Sequence, residues 1–160
     1  MVSLEAFSDK HLDKTYQWML DEDLRKKFLF RKNLSPDEHQ QWFKNYLKDK
    51  SQKIYTIYYN NIHVGNVGLK NIDNINNNAE TWIYIGDVSM KGKGIGIQTY
   101  KQLCDIWRNE FHKIYAHVAE FNFSSTKMYQ KAGFTSEGNF KDQVYWENRY
   151  YNLLRFAIYL

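Results

Sequence analysis

The chain has 160 residues, a formal net charge of +4 at pH 7, 43% hydrophobic residues and 18% aromatic residues. This length suits one domain covering residues 1–160, and the apolar content excludes a disordered chain. No apolar run approaches the ~20 residues that cross a bilayer, and the N-terminus lacks a signal-peptide pattern. The single cysteine, Cys104, excludes an intrachain disulfide and a cysteine-ligated zinc site, so we expect a soluble, cytoplasmic domain without a metal.

The basic residues are spread along the chain rather than grouped in one run. A nucleic-acid partner is therefore disfavoured, although the positive charge alone would allow it. A mild positive field also suits a small anionic ligand, which we prefer as the explanation. We expect neither nucleic acid nor membrane among the partners.

Hydrophobic periodicity, capping signals and turn residues predict an α/β chain in the order β-α-α-α-β-β-β-α-β-α-β-β. The predicted strands cover residues 2–7, 52–60, 62–75, 81–88, 113–119, 134–146 and 150–160. The predicted helices cover residues 9–20, 21–30, 36–50, 94–111 and 122–132. Asn60 and Asn61 form a tight turn in this scheme, because asparagine tolerates positive φ.

A glycine-rich loop lies between the strand at 81–88 and the helix at 94–111. It contains Gly92, Gly94 and Gly96, with Lys91 and Lys93 between them. The first N–H groups of a helix lack partners within it, and the helix dipole adds positive charge there. Glycines let a pyrophosphate approach such a backbone closely. The loop predicts phosphate binding, although glycines that only allow tight turning remain an alternative.

The letters of this loop discriminate between phosphate motifs. A Walker A loop fails because Gly94 stands where Ser or Thr would hold magnesium, and a dinucleotide fingerprint fails because Ile97 replaces its third glycine. The loop fits the pattern [QR]-x-x-G-x-[GA] with Lys91 in the first position. A second motif follows downstream: Asn122, then Tyr129 seven residues later, then Gly133-Phe134. With both motifs in this order, the chain resembles the GCN5-related N-acetyltransferases, the GNAT family.

The resemblance implies a GNAT acyl-CoA N-acyltransferase fold. This is an α/β (α+β) fold with helices on both faces of a mixed central sheet, in which two parallel strands, 81–88 and 113–119, splay apart. It implies acetyl-CoA as cosubstrate, with its pantetheine arm pairing with the opened strand as an added strand would. The residues expected to contact acetyl-CoA are Ile85, Gly86, Lys91, Gly92, Lys93, Gly94, Ile95, Gly96, Ile97 and Asn122. Asn122 is equally suited to be a helix N-cap.

The implied chemistry is direct attack of an amine on the thioester. A backbone N–H at or near Gly86 stabilises the oxyanion, and Tyr129 protonates the leaving thiolate, since a phenol with pKa ~10 stays protonated at neutral pH. Packing against the sheet is the alternative role for Tyr129. The candidate general bases are His117 and Glu80. Many family members use no direct base, so the resemblance does not require either residue to act as one. His39, His63 and His112 fall at surface or helix positions and receive no role.

The acceptor amine is the least defined part of the prediction. Phe30, Arg31 and Glu80 are the candidate substrate-binding residues, because aromatic and cationic side chains suit a nucleotide. Residues Gln17, Trp18 and the run 38–43 resemble enzymes that acetylate 4-amino sugars on nucleotide carriers, so a nucleotide sugar is our first choice. The last hairpin, 149–155, resembles enzymes that acetylate protein N-termini or spermidine. A non-catalytic CoA-binding module is the second alternative, and a homodimer is one possible assembly.

Overall fold

The computed structural model describes all residues, 1–160, and contains seven strands and five α-helices. The strands are β1 Val2–Ala6, β2 Lys53–Tyr59, β3 Ile62–Asp73, β4 Asn78–Ile85, β5 Lys113–Ala119, β6 Thr135–Trp146 and β7 Arg149–Tyr159. The helices are α1 Leu12–Met19, α2 Glu22–Lys27, α3 Pro36–Tyr46, α4 Ile95–Trp107 and α5 Phe123–Lys131. Short 3-10 turns precede α1 and α4. None of the helices combines the length and the apolar character needed to cross a bilayer.

All seven strands form one mixed sheet in the order β1-β2-β3-β4-β5-β7-β6. Every neighbouring pair is antiparallel except β4 and β5, which run parallel. The parallel pair requires a crossover, and the 3-10 turn and α4 supply it. The predicted fold class, a mixed sheet with a parallel pair and flanking helices, is confirmed.

The helices cover the two faces of the sheet separately. On one face, the apolar residues of α4 pack into the main core, where Tyr100, Leu103 and Trp107 are fully buried at helical spacing. The helix α5 joins this layer through Tyr129. On the other face, a smaller cluster around Phe7 and Phe43 holds α1 and α3 against the sheet. Successive side chains along a strand point to opposite faces of the sheet, so β4 presents residues to both helical layers.

Several predicted boundaries are confirmed and others are wrong. The strand β5 has the predicted limits, and the helix α5, behind its N-cap Asn122, is one residue shorter than predicted at each end. Asn60 and Asn61 form the predicted turn at positive φ. The strand β4 lies three residues earlier than predicted. It ends at Ile85 because the N–H groups of Gly86 and Asp87 both donate to the Val64 carbonyl, which turns the chain away from the ladder.

The other four helices are also shorter than predicted. The helix α1 begins only at Leu12, after the 3-10 turn, and α2 ends at Lys27 rather than at residue 30. The helix α3 ends at Tyr46 rather than at residue 50, and α4 ends at Trp107 rather than at residue 111. Beyond Trp107 the chain turns so that Phe111 can enter the main core ahead of β5. The expectation of a surface or helix position is wrong for His63, which lies in β3 with an exposed fraction of 8%, whereas His39 does lie in a helix, on the buried side of α3.

Candidate functional site

The parallel strands β4 and β5 pair only at their first three residues, Asn78 to Glu80 against Lys113 to Tyr115. Beyond that point the strands diverge, so the facing edges of residues 81–85 and 116–119 carry no ladder bonds. A cleft of about 720 Å³ passes through this gap. Its walls come from β4, β5, the loop before α4, and the helices α2, α4 and α5. The exposed strand edge is suited to pair with an extended amide-containing ligand.

The loop before α4 presents its backbone to this cleft. The six N–H groups from Gly92 to Ile97 have no hydrogen-bond acceptor within the protein. Gly94 caps α4 in the left-handed region with φ 73°, and Gly92 has φ 78°. A Cβ at either position would meet open space, so the sequence requires glycine there for backbone conformation. Six free donors at a helix N-terminus are suited to bind a pyrophosphate.

We predicted that Gly96 is a glycine so that a pyrophosphate can approach the backbone, but the structure gives a packing reason instead. A Cβ on Gly96 would lie 3.1 Å from Cγ of Met128 in α5. The glycine therefore allows α4 and α5 to pack closely, and its contribution to an anion site is limited to its backbone N–H.

Lysines make the cleft electropositive. Lys91, which begins the loop, lines the cleft together with Lys127 and Lys131 of α5. The predicted partner Lys93 does not line it, because its Nζ atom turns back to Sδ of Met90 at 3.4 Å. The positive lining fits an anionic cosubstrate such as acetyl-CoA.

The expectation for Gly86 requires a correction. Its N–H donates to the Val64 carbonyl at 2.9 Å and is not free to stabilise an oxyanion. Gly86 also does not line the cleft, and a Cβ there would collide with the Trp18 ring at 2.0 Å. Its small size thus lets α1 pack against the end of β4, whereas the neighbouring Ile85 does line the cleft.

Asn122 lies at the cleft and is buried, with an exposed fraction of 6%. Its side-chain oxygen accepts hydrogen bonds from the Ser125 N–H at 3.3 Å and the Ser124 hydroxyl at 3.1 Å, so it is the N-cap of α5. Its Nδ2 atom also donates to the Lys27 carbonyl at 3.4 Å. Asn122 therefore connects α5 with the end of α2 across the cleft.

Tyr129 also lines the cleft, and its hydroxyl lies 3.1 Å from the hydroxyl of Tyr100. Tyr100 in turn lies 3.1 Å from the hydroxyl of Thr81, which donates to the Gly68 carbonyl. Burial raises the pKa of Tyr129 well above its ordinary value of 10, although the hydrogen bond with Tyr100 opposes this shift. Tyr129 therefore keeps its proton at neutral pH, and it both packs in the core and reaches the cleft.

Glu80 and His117, the two candidate bases, are partners rather than alternatives. His117 Nδ1 lies 3.1 Å from Glu80 Oε1, and Lys70 Nζ lies 3.3 Å from the same oxygen. Asn71 Nδ2 donates a hydrogen bond to Glu80 Oε2 at 2.9 Å. Burial alone would raise the pKa of Glu80, but the hydrogen bond from His117 and the charge of Lys70 outweigh it, so the pKa is lowered. Glu80 is thus an ionised, well-bonded carboxylate at the cleft.

Phe30 and Arg31 do not line the cleft, which contradicts their predicted role. The Arg31 guanidinium lies 4.3 Å above the Trp146 ring and donates to the Tyr145 carbonyl at the tip of the last hairpin. Arg31 therefore fastens the segment after α2 to the β6–β7 hairpin, outside the lining of the cleft.

The segment at the end of α2 forms a further wall of the cleft, and the sequence prediction did not single out three of its residues, Leu24, Lys27 and Leu29. Leu24, Lys27, Phe28 and Leu29 line the cleft from this side. The Phe28 ring packs edge-on against Trp82 and Tyr84, each at 5.5 Å between centroids. The alternation of Glu80, Trp82 and Tyr84 along β4 places them on one face, and this spacing was the available signal.

Comparisons with known proteins agree with this geometry. The sequence profile of the acetyltransferase (GNAT) domain matches residues 2–135. A spermidine N(1)-acetyltransferase of Vibrio cholerae is 27% identical over 126 residues, which cover 76% of this chain and 72% of that protein.

Solved structures share the whole fold. A crystal structure of the Vibrio cholerae spermidine N-acetyltransferase in complex with CoA and spermine has a TM-score of 0.91 and 23% identity, covering 99% of this chain and 95% of that one. A dodecameric structure of the same enzyme has a TM-score of 0.83 and 23% identity, covering 99% and 93% of the two chains.

The chain belongs to the GNAT acetyltransferase family. It is an acetyl-CoA-dependent N-acetyltransferase, so acetyl-CoA is its cosubstrate and an amine nitrogen is its acceptor. The unpaired edge of β4, the free N–H groups before α4 and the lysines of the cleft all fit that cosubstrate.

Proposed function

We propose that this enzyme acetylates a primary amine of a polyamine such as spermidine, within one catalytic domain formed by residues 1–160. The observation that carries the proposal is Glu80, the one carboxylate in a cleft that otherwise contains five lysines. A carboxylate held ionised at this place can attract an ammonium group of the acceptor. The spermidine acetyltransferase that is 27% identical supports the same choice.

The aromatic side chains beside Glu80 support an alkyl-ammonium acceptor. Trp82 and Tyr84 stack with an interplanar angle of 10°, and Phe28 packs edge-on against both. Aromatic rings bind methylene chains and attract cations over their faces. A nucleotide sugar loses its main support, because Arg31 is fastened to Trp146 and lies outside the cleft.

The bond between His117 and Glu80 suggests how the amine loses its proton. A neutral His117 that donates from Nδ1 to Glu80 presents Nε2 as an acceptor. In this scheme Nε2 takes a proton from the amine as nitrogen attacks the thioester carbonyl carbon. The negative charge of Glu80 stabilises the imidazolium that forms, so Glu80 is a positioning residue for His117 in addition to attracting the amine.

Tyr129 completes the transfer at the other side of the acetyl group. When the tetrahedral intermediate collapses, the carbon–sulfur bond breaks and the CoA thiolate needs a proton. The Tyr129 hydroxyl supplies it, and the raised pKa of Tyr129 ensures that this proton is present at neutral pH. These steps leave an imidazolium at His117 and a phenolate at Tyr129. Loss of one proton from His117 to solvent and uptake of one by Tyr129 restore the enzyme, so the amine and acetyl-CoA become the amide and free CoA.

A panel of acceptors tests the proposal. We would incubate the enzyme with acetyl-CoA and spermidine, spermine, a nucleotide-linked 4-amino sugar or a peptide with a free N-terminus, and measure release of free thiol together with product mass. We expect the polyamines to react with the highest kcat/KM. A higher value for the peptide or the sugar would refute the polyamine assignment, and CoA binding without any turnover would indicate a binding module.

A further inference from the structure

Leu29 has a backbone conformation that leucine rarely adopts. Its φ is 56°, in the left-handed region, and the other seven non-glycine residues with positive φ are all Asn, Asp or Glu. Leu29 directly follows α2 and its C-cap Phe28. The N–H of Phe30 donates to the Arg25 carbonyl at 2.8 Å, and the N–H of Leu29 donates to the Lys26 carbonyl at 3.0 Å. These two bonds define a Schellman motif with Leu29 at the position that glycine normally occupies.

The motif needs the left-handed backbone but not a leucine side chain. Glycine would adopt this conformation without strain, whereas a Cβ costs free energy there. Core packing does not explain the leucine either, since Leu29 is only half-buried and belongs to neither hydrophobic cluster. A strained residue that persists in a cleft points to a function for its side chain.

The position of Leu29 indicates what that function is. Leu29 lines the same cleft as Glu80 and His117, on the wall that α2 contributes. Its neighbour Phe28 packs against Trp82 and Tyr84, which share the Glu80 face of β4. The wall therefore adjoins the face of β4 on which Glu80 lies.

We propose that Leu29 determines acceptor specificity, by closing the acceptor end of the cleft around the methylene chain of the amine and excluding water. This inference rests on the proposed function for the place where the amine binds. Shape and apolar contact at this end then select a flexible aliphatic amine over a bulkier acceptor, at the expense of backbone strain after α2.

Two substitutions test the effect of the Leu29 side chain and the effect of backbone strain separately. Leu29→Ala removes the side chain and keeps a Cβ in the left-handed region, whereas Leu29→Gly removes both. We expect KM for spermidine to rise about tenfold in both variants, because both lose the same apolar contact, while KM for acetyl-CoA stays unchanged. Thermal unfolding should place Leu29→Gly about 2–4 °C above Leu29→Ala.

Asp142 provides a matched control, since it has φ 52° in β6 and does not line the cleft. Asp142→Gly should likewise melt above Asp142→Ala, but neither should change KM. Unchanged spermidine KM in both Leu29 variants, or a rise confined to acetyl-CoA, would overturn the inference about specificity. Equal melting temperatures for Leu29→Gly and Leu29→Ala would overturn the inference about strain.

A readout without an amine keeps this inference distinct from the proposed function. Opening the wall admits water, so both Leu29 variants should release free thiol from acetyl-CoA faster than the wild type when no acceptor is present. If the wild-type enzyme acetylates no polyamine, the proposed function fails. The rate of acetyl-CoA hydrolysis without an acceptor still tests whether Leu29 closes the cleft. Hydrolysis at the wild-type rate in both variants would contradict its role in closing the cleft.

Discussion

His117 Nδ1 lies 3.1 Å from Glu80 Oε1, which joins β5 to β4 just where the two strands begin to separate. The bond combines two residues that sequence alone presents as competing bases. It gives the imidazole a fixed orientation and gives the buried carboxylate a hydrogen-bond donor. The acceptor side of the cleft is therefore organised around a pair of groups with distinct roles.

Replacing Glu80 tests the importance of this pair. Glu80→Gln keeps the size of the side chain and removes its negative charge, so we expect kcat/KM for spermidine to fall about 10- to 100-fold. Glu137→Gln is the control, since Glu137 pairs with Lys113 and Arg155 and does not line the cleft. Similar losses in both variants would exclude a specific role for Glu80.

The hydroxyl of Tyr129 is expected to matter for chemistry more than for binding. Tyr129→Phe retains the packed ring and removes the proton donor, so kcat should fall about 100-fold while the affinity for acetyl-CoA changes little. Tyr100→Phe removes the neighbouring hydroxyl at 3.1 Å but leaves Tyr129 in place, and should cost much less. Steady-state kinetics and calorimetry distinguish the two effects. Wild-type kcat in Tyr129→Phe would remove the residue from the mechanism.

Gly94 allows charge to be tested separately from backbone conformation. Asn and Asp have nearly equal size and both tolerate positive φ, and a Cβ at Gly94 meets open space. We expect Gly94→Asp to bind acetyl-CoA about tenfold more weakly than Gly94→Asn, because only Asp adds negative charge near the pyrophosphate site. Isothermal titration calorimetry measures this ratio directly. Equal affinities would indicate that the phosphates bind elsewhere.

His63 predicts a specific pH dependence of stability. Burial lowers its pKa from 6.5 to about 4, although its hydrogen bond to Asn66 opposes the shift. Between these values the unfolded chain binds a proton that the folded protein does not, so stability is complete above pH 6.5 and falls as the pH drops towards 4. The loss attributable to His63 is about 3 kcal/mol.

His63→Gln removes this titration and keeps a side chain that can bond Asn66. The variant should be less stable at neutral pH, yet its free energy of unfolding should decline less steeply than the wild type's between pH 6.5 and 4. Urea denaturation at several pH values measures both curves. Parallel curves would show that His63 is accessible to protons in the folded state.

The sequence predicted those parts of the site that short segments determine. The N-cap at Asn122 and the helix to Tyr129 follow from neighbouring residues. The shape of the glycine loop follows from its own two glycines, Gly92 and Gly94, which adopt the left-handed conformation. The parallel strands and their separation came from the resemblance to the GNAT family, and the pairing of only three residues confirms them.

Other features depend on contacts between distant parts of the chain. The N–H of Gly86 is occupied because β3 presents the Val64 carbonyl to it. Arg31 is withdrawn from the cleft because the tip of the last hairpin, more than a hundred residues later, offers the Trp146 ring. Periodicity cannot show which distant group a side chain or an N–H will meet, so these expectations were wrong or incomplete.

A crystal structure of the enzyme with CoA and spermidine tests the central claim most directly. We predict the pantetheine arm against the free edge of β4, the pyrophosphate at the N–H groups of Gly92 to Ile97, and the sulfur within hydrogen-bond reach of the Tyr129 hydroxyl. The amine should lie beside Glu80 and His117. A pyrophosphate bound away from the α4 N-terminus, or an amine bound outside the gap between β4 and β5, would contradict the account.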